Sequence, residues 1–307
     1  MNYKLNFDVC VLLPTLNEEA TIGKLIQEFK EEGFNNIVVI DGNSTDRTRE
    51  IALSEGSEVI LQEGKGKGQA LQQAFQIIDN EYIIMADGDG TYLPSDIHNI
   101  LSPLVEDEAD HVIGNRFADY EKGAFTKLNL IGNRLINWLF GLAYGEWLSD
   151  ILSGYRGFTK EAIKSFDLNK TGFEIESEIT IESVKKDFRI VEVPITYLSR
   201  DSSAATKLNP LRDGFKIGAT IYKLAKVHNP MFYFGIIGSI FLFCGVIAGF
   251  FVITEWLRGV TRELMTILTA ILILSGFQFL IFGFISDLIV SLHKDTVRSV
   301  RKMIKEK

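Results

Sequence analysis

A chain of 307 residues, 46% of them hydrophobic, is long enough for one large or two modest domains with a real core. Its formal net charge of -8 excludes general nucleic-acid binding, which needs a basic footprint.

Residues 7–13 predict a first strand, closed by Pro14-Thr15-Leu16-Asn17-Glu18-Glu19 and followed by an amphipathic helix over about 20–32. The apolar run is too short, and meets Asn17, Glu18 and Glu19 too soon, to read as a signal peptide. Residues 37–40 form a second strand, ending in Asp41-Gly-Asn-Ser-Thr-Asp46 ahead of a helix to about Glu55; residues 59–61 form a third. Gly64-Lys-Gly-Lys-Gly68 opens a helix to about Ile78, and residues 82–86 form a fourth strand. Strands alternating with helices predict an α/β fold on a mostly parallel sheet, in which ligands bind outside the carboxyl ends of the strands. A further strand falls at 188–197.

The fourth strand ends in Asp87-Gly-Asp89-Gly90. Side chains alternate along an extended backbone, so the two carboxylates fall on one side. A hard divalent cation, Mg2+ or Mn2+, is the natural neutraliser and would share its coordination with water and phosphate oxygens. The competing reading is a plain Asp-Gly turn. Asp41, directly after a buried strand, is placed to accept hydrogen bonds from a base or ribose, while Ser44 or Asp46 serves as a helix N-cap. The 64–68 loop matches neither glycine fingerprint for phosphates, yet Lys65 or Lys67 before a helix N-terminus suits an anion. In Glu174, Glu176 and Glu178 an acidic helix start is the first reading, with Glu176 a secondary site candidate.

Residues 231–253 and 264–290 lack Lys, Arg and Glu, and only Asp287 is charged; each reaches the roughly 20 residues of a membrane-crossing helix. The short connection, with Trp256 suited to an interface, makes the pair a hairpin. Lys and Arg flank both outer ends, so by the positive-inside rule the N-terminal region faces the cytoplasm. Gly245 and Gly249 predict close helix packing, with Gly235 and Ser239 similarly spaced. Cys10, in the first apolar run, and Cys244, mid-span, read as packing residues rather than a disulfide. Residues 210–227 alternate apolar and basic side chains and predict an interfacial amphipathic helix. The expected organisation is a catalytic domain over 1–209, a juxtamembrane helix over 210–228, two spans over 229–292 and a basic tail over 293–307.

Leu13-Pro-Thr-Leu-Asn-Glu18, Asp41-Gly-Asn-Ser-Thr-Asp46, Gly66-Lys-Gly68 and Asp87-Gly-Asp89 together resemble family 2 glycosyltransferases of the GT-A fold. Gly114-Asn-Arg116, Asp150-Ile-Leu-Ser-Gly-Tyr-Arg156 and the two-span tail are similar to the polyprenyl-phosphate sugar synthases of the dolichyl-phosphate mannose synthase type, nearest the archaeal branch serving protein N-glycosylation. The resemblance implies a Rossmann-like GT-A domain and metal-dependent, inverting transfer of a monosaccharide from a UDP- or GDP-linked sugar to dolichyl or polyprenyl phosphate. The UDP form is favoured, and the site is the cytoplasmic face of the plasma membrane. Pro14, Thr15, Asn17, Glu18 and Asp41 would line the nucleotide pocket; Asp87 and Asp89 would meet ribose and metal; Arg116 would meet the acceptor phosphate, and Arg200 would belong to a mobile loop over the site. Members of this family often associate, so a second copy is among the implied partners, with the bilayer itself. Thr91 stands where mannose synthases of this type tend to carry Gln, and Lys127, Asn129, Asn133 and Arg134 do not reproduce their second acceptor-site arginine and serine.

A phosphate monoester, with a second pKa of about 6, is already anionic and needs cations rather than a base. Arg116, Arg134, Arg156, Arg200 and Lys207 are the candidates, with Arg116 and Arg200 foremost. Asp150 would be the base were the acceptor a sugar hydroxyl; with a phosphate acceptor it would orient Arg156 or shape the site. Two alternatives remain: transfer to a lipid-linked sugar, as in a polysaccharide-extending synthase, whose typical Gln-x-x-Arg-Trp motif is absent, and a non-catalytic nucleotide-binding scaffold.

Overall fold

A computed structural model describes residues 8–199 and 210–305, the side chains of 210–213, 226–228, 293–295 and 297–305 excepted. Arg200 and Lys207 lie outside the described residues. The chain forms two compact units, Met1–Gly141 with Gly145–Ile221, and Leu142–Tyr144 with Tyr222–Lys307.

The first unit is built on seven strands in the order β3-β2-β1-β4-β6-β5-β7. Strand β1 (Val9–Thr15) pairs in parallel with β2 (Ile37–Asp41) and β4 (Tyr82–Met85), and β2 with β3 (Glu58–Leu61). A strand buried on both faces reads as a continuous apolar run, and β1 shows why. Val9, Val11 and Leu13 pack on one face with Ile22, Leu25, Ile26 and Phe29 of helix α1 (Ile22–Glu31), while Cys10 and Leu12 pack on the other with Leu71, Ala74 and Phe75 of α3 (Lys67–Ile77). The spacing of those α1 residues is one helical stripe. Helix α2 (Thr48–Ser54) joins β2 to β3. Burial pushes the Cys10 thiol up to about 12, which keeps it inert.

Between Tyr92 and Phe173 the sequence reading assigns no element. The structure places there α4 (Ile97–Val105), β5 (His111–Tyr120), α5 (Lys127–Tyr144), β6 (Arg156–Thr159) and α6 (Lys160–Ser165), ahead of α7 (Ile175–Lys185) and β7 (Ile190–Tyr197). Strand β6 runs antiparallel between β4 and β5, and β7 pairs in parallel with β5. Only four residues long, with Gly157 at its centre, β6 carries too little periodicity to be read as a strand. Helix α7 defeats pattern reading in another way: Glu176, Ser177, Glu178, Thr180, Glu182 and Ser183 are all buried.

Helix α8 (Pro210–His228) leads to α9 (Pro230–Leu257) and α10 (Glu263–Lys305). Pro230–Leu257 and Glu263–Leu292 have the length and apolar composition to cross a membrane. Helix α10 continues without interruption to Lys305, so the segment read as a basic tail is helical as far as that residue. The two helices meet at Gly245, where a Cβ would lie 2.7 Å from Ile273 Cγ1, and at Gly238, where it would lie 2.8 Å from the Gly276 carbonyl oxygen. Gly249, the expected partner of Gly245, also faces α10, its Cβ position lying 3.3 Å from Thr269 Cγ2, whereas Gly235 has nothing within 4 Å of such a Cβ.

Candidate active site

The carboxyl ends of β1, β2 and β4 form one edge. Thr15 stands beside Asp41 in register, and the backbone joins them through Gly42 N–H and the Thr15 carbonyl at 2.8 Å. Loop bonds then tie the two strand ends together. Asn17 N–H donates to Ser44 Oγ at 2.8 Å, Glu18 N–H to Thr48 Oγ1 at 2.8 Å, and Thr45 N–H to Asn17 Oδ1 at 2.8 Å. Asn17 takes a φ of 52°, a left-handed conformation that Asn tolerates, to make the turn. Asp46 accepts from Thr48 and from the Glu19 N–H; these bonds outweigh its partial burial and hold its carboxyl below the usual range. Its place is thus structural.

Asp41 is fully buried. Its Oδ2 accepts from the Ser44 N–H at 2.9 Å and lies 3.6 Å from Arg49 Nε, while Oδ1 has no partner, and neither has the neighbouring Thr15 Oγ1. A buried acceptor left unpaired costs about 1–3 kcal/mol, a cost that a donating ligand removes.

Lys67 is not on a loose loop. Its Nζ lies 2.5 Å from Asp87 Oδ1 and 2.6 Å from Glu176 Oε1, and its side chain is 13% exposed. Burial alone would pull the ammonium down, but the two carboxylates push it well above its ordinary value. The flanking glycines permit this placement. A Cβ on Gly66 would come within 2.2 Å of the Thr171 carbonyl oxygen, and one on Gly68 within 2.1 Å of that of Lys170. Glu178 Oε2 accepts from the N–H groups of Asn169 and Lys170, fixing the segment on which the glycines rest. Lys65 stays exposed.

Asp89 Oδ1 accepts from Thr91 Oγ1 at 2.6 Å and Thr91 N–H at 3.2 Å, so Thr91 restrains the second carboxylate. Asp87 Oδ2 packs over Gly154, where a Cβ would approach to 2.4 Å. Among the described residues no group of three or more His, Cys, Asp or Glu side chains could hold a metal. Two hard carboxylates are too few for an all-protein cage and fit a Mg2+ or Mn2+ ion that completes its shell with water and diphosphate oxygens. Asp87 and Asp89 would hold it.

Arg116, on β5, is grasped by Asp150: Nε to Oδ2 and Nη2 to Oδ1, both 2.7 Å, with the Arg116 N–H also on Oδ2 at 3.1 Å. Its guanidinium lies 5.7 Å from the Phe125 ring centroid and 5.4 Å from that of Tyr197. Burial pulls its pKa down, but Asp150 outweighs this and holds it well above the ordinary value. Nη1 makes no hydrogen bond among the described residues. Burial raises Tyr197, Arg116 lowers it and Asp89 and Asp87 raise it, so both charge systems act on one ring. Tyr92 connects them: its hydroxyl accepts from Gly154 N–H at 2.8 Å and its ring packs on Tyr155 and Tyr197.

Two expectations are corrected. Asp150 is fully buried with both oxygens on Arg116, so it can neither act as a base nor orient Arg156 by a hydrogen bond; it positions Arg116. Arg156 is no phosphate ligand. It is 0% exposed, and donates to the carbonyls of Ser153 and Ile151 and to Thr180 Oγ1, a staple that burial pulls down to about 10. Arg134 stands exposed on α5. Sequence reasoning missed Tyr92, Phe125 and Tyr197, and undervalued Glu176, whose one signal was an acidic run beginning a helix otherwise rich in Ser and Thr.

The glycosyl transferase family 2 profile matches residues 10–166. Glycosyltransferase AglJ of Haloferax volcanii is 44% identical over 297 residues, 96% of this chain and 98% of that protein. A dolichyl-phosphate hexose transferase of the same organism is 33% identical over 222 residues, 71% of this chain and 93% of its own length. Among solved structures, glucosyl-3-phosphoglycerate synthase from Mycobacterium tuberculosis, in complex with Mn2+, UDP-glucose and phosphoglyceric acid, shares the fold with a TM-score of 0.58 at 23% identity, over 72% of this chain and 80% of that one. A strand-end edge carrying Asp41, Asp87 and Asp89, an antiparallel β6 in an otherwise parallel sheet, and relatives matched along nearly their whole length agree: the chain is a glycosyltransferase and belongs to glycosyl transferase family 2.

Proposed function

We propose that this glycosyltransferase moves a monosaccharide, with inversion, from a UDP-sugar to a polyprenyl phosphate such as dolichyl phosphate at the cytoplasmic face of the cell membrane, supplying lipid-linked sugar for protein N-glycosylation. The observation that carries the reading is Arg116. A guanidinium held along its Nε–Nη2 edge by Asp150 and faced by two aromatic rings is preorganised to receive an oxyanion, and planar bidentate recognition of phosphate is what Arg does well. The engagement of both Asp150 oxygens by Arg116 agrees, because a phosphate monoester needs no base. A dolichyl-phosphate sugar transferase among the relatives and two helices fit to span a bilayer support a lipid acceptor.

On the donor side, the one unpaired oxygen of Asp41 matches the single ring N–H of uracil; guanine offers a donor edge that asks for more than one acceptor. Lys67 and the Asp87–Asp89 pair set the charge around the diphosphate. A divalent cation there would act as a Lewis acid on the leaving group. Arg116 offsets the repulsion between acceptor and donor phosphates, and Tyr92 and Tyr197 exclude water between the two halves.

The test is transfer of radiolabel from UDP- and GDP-sugars to short-chain dolichyl phosphate in detergent, with Mn2+ or EDTA. Chloroform-soluble label from a UDP-sugar, lost with EDTA, is expected. Protein that binds nucleotide yet labels only a sugar-bearing lipid acceptor would overturn the phosphate-acceptor reading.

A further inference from the structure

Strand β7 carries one charged residue, Glu192. Val191, Val193 and Ile195 pack with the core, so the alternation of an extended strand puts Glu192 on the opposite face. β7 ends the sheet, and on an edge strand an outward acid commonly does no more than keep the edge solvated. Here both of its oxygens are engaged. Oε1 and Oε2 each accept from the Ser149 N–H at 2.8 Å, and Oε1 accepts from the Asp150 N–H as well, also at 2.8 Å.

The segment it grips has no ladder of its own. Between α5 and β6 the chain is irregular over 145–155, so its backbone polar groups depend on turns and on side chains brought from elsewhere. The buried Asn137 of α5 takes the flanks: its amide donates to the Ser149 carbonyl, and its Oδ1 accepts from the Ile151 N–H at 3.3 Å. One turn further along α5, a Cβ on Gly141 would come within 2.5 Å of the Trp147 ring, so the returning segment also lies against the helix there. Asp150 is thus held at its own N–H by Glu192 and at both neighbours by Asn137. Arg116, which takes both Asp150 oxygens, stands three residues beyond Ile113, the in-register partner of Glu192. The acid on β7 and the arginine on β5 belong to one strand pair, joined through Asp150.

We infer that Glu192 is a positioning residue for the acceptor arginine: it fixes the Asp150 backbone so that both carboxylate oxygens meet Arg116 Nε and Nη2, which leaves Nη1 for an acceptor oxygen. The inference rests on the reading of Arg116 as the ligand of the acceptor phosphate. Glu192 acts only through Asp150. A carboxylate that accepts from successive backbone N–H groups makes charge-assisted bonds, stronger and more directional than neutral ones. Such support behind the contacting group is what holds a binding constellation within about 0.5 Å of its working geometry.

Full-length Glu192→Ala is compared with wild type, and with Glu192→Gln, which keeps one acceptor oxygen and carries the test should the alanine variant fail to fold. KM for short-chain polyprenyl phosphate is expected to rise roughly 10-fold in Glu192→Ala and by less in Glu192→Gln, with UDP affinity by calorimetry unchanged. A second readout needs no turnover: modification of arginines by phenylglyoxal, located by mass spectrometry. The Arg116 side chain, 11% exposed and clamped by Asp150, should resist the reagent in wild type and react several-fold faster in the variants, while the fully buried Arg156 stays unmodified. Arg116 reactivity equal to wild type overturns the inference, whatever KM does. Arg156 reacting in step with Arg116 overturns it too, since Glu192 would then serve general stability. Faster modification of Arg116 alone, with KM for the lipid unmoved, upholds the positioning and refutes Arg116 as the acceptor ligand.

Discussion

The two sides of the site are held by different forces. On the donor side, the loops after β1 and β2 are stitched by bonds in which a backbone N–H meets a side-chain oxygen, while the buried Asp41 Oδ1 is left unpaired. On the acceptor side there is one near-buried ion pair, Arg116 with Asp150, drawn from positions 34 residues apart and enclosed by rings from two further segments. In the proposed function the donor side would receive a neutral base edge and a diphosphate with its divalent cation. The acceptor side stores positive charge before any substrate arrives.

Substitutions should separate the two. Asp89→Ala should have the largest effect on rate, lowering transfer on the order of 10²–10³-fold, the scale of losing one preorganised electrostatic contact, with little change in thermal unfolding. Arg116→Ala should act on both counts. Leaving Asp150 buried and unpaired costs about 3–5 kcal/mol of stability, and KM for polyprenyl phosphate should rise while UDP binding by calorimetry stays the same. Arg156 provides the contrast: Arg156→Met should lower the melting temperature through its orphaned carbonyls, about 1–3 kcal/mol for each, with both KM values unchanged. A raised KM for the lipid in that variant would return Arg156 to the site. Asp41→Asn should weaken UDP by about 1–3 kcal/mol; tighter GDP than UDP binding in the parent protein would break the base assignment.

The smallest effect concerns pH. His111 is fully buried, its Nδ1 2.8 Å from Ser183 Oγ and its Nε2 3.3 Å from Arg156 Nη1, and burial, with Arg156 beside it, holds its pKa well below 6.5. The unfolded chain therefore takes up the proton first as pH falls. Stability from this group is complete above about 6.5 and declines below it, with a limiting slope of about 1.4 kcal/mol per pH unit for one proton. His111→Gln should flatten that slope in a pH series of thermal unfolding curves.

The donor side was readable in the sequence because each part is local: an apolar run, then the residue that ends it, four times over. Asp41, Asp87 and Asp89 were found that way. The acceptor side was readable only in part. Arg116 could be named, but its partner could not be assigned, since nothing in the spacing of Asp150 to Arg116 or Arg156 says which guanidinium it will meet. Tyr197 comes to the site through the pairing of β5 with β7, a long-range event, and Phe125, in the loop after β5, stacks on its ring. Glu176 escaped full notice for the opposite reason: at a helix start an acid already has a local explanation.

The packing of Gly66 and Gly68 on the 170–171 backbone bears on where this enzyme can be cut. The family profile stops at residue 166, so a fragment trimmed to that boundary would keep every donor motif yet lose the ledge on which the lysine loop rests and the Glu176 carboxylate that steadies it. It would lose β7 as well, and with it the ring over Arg116. The profile-matched half is not a module; its smallest portable form extends at least through Tyr197.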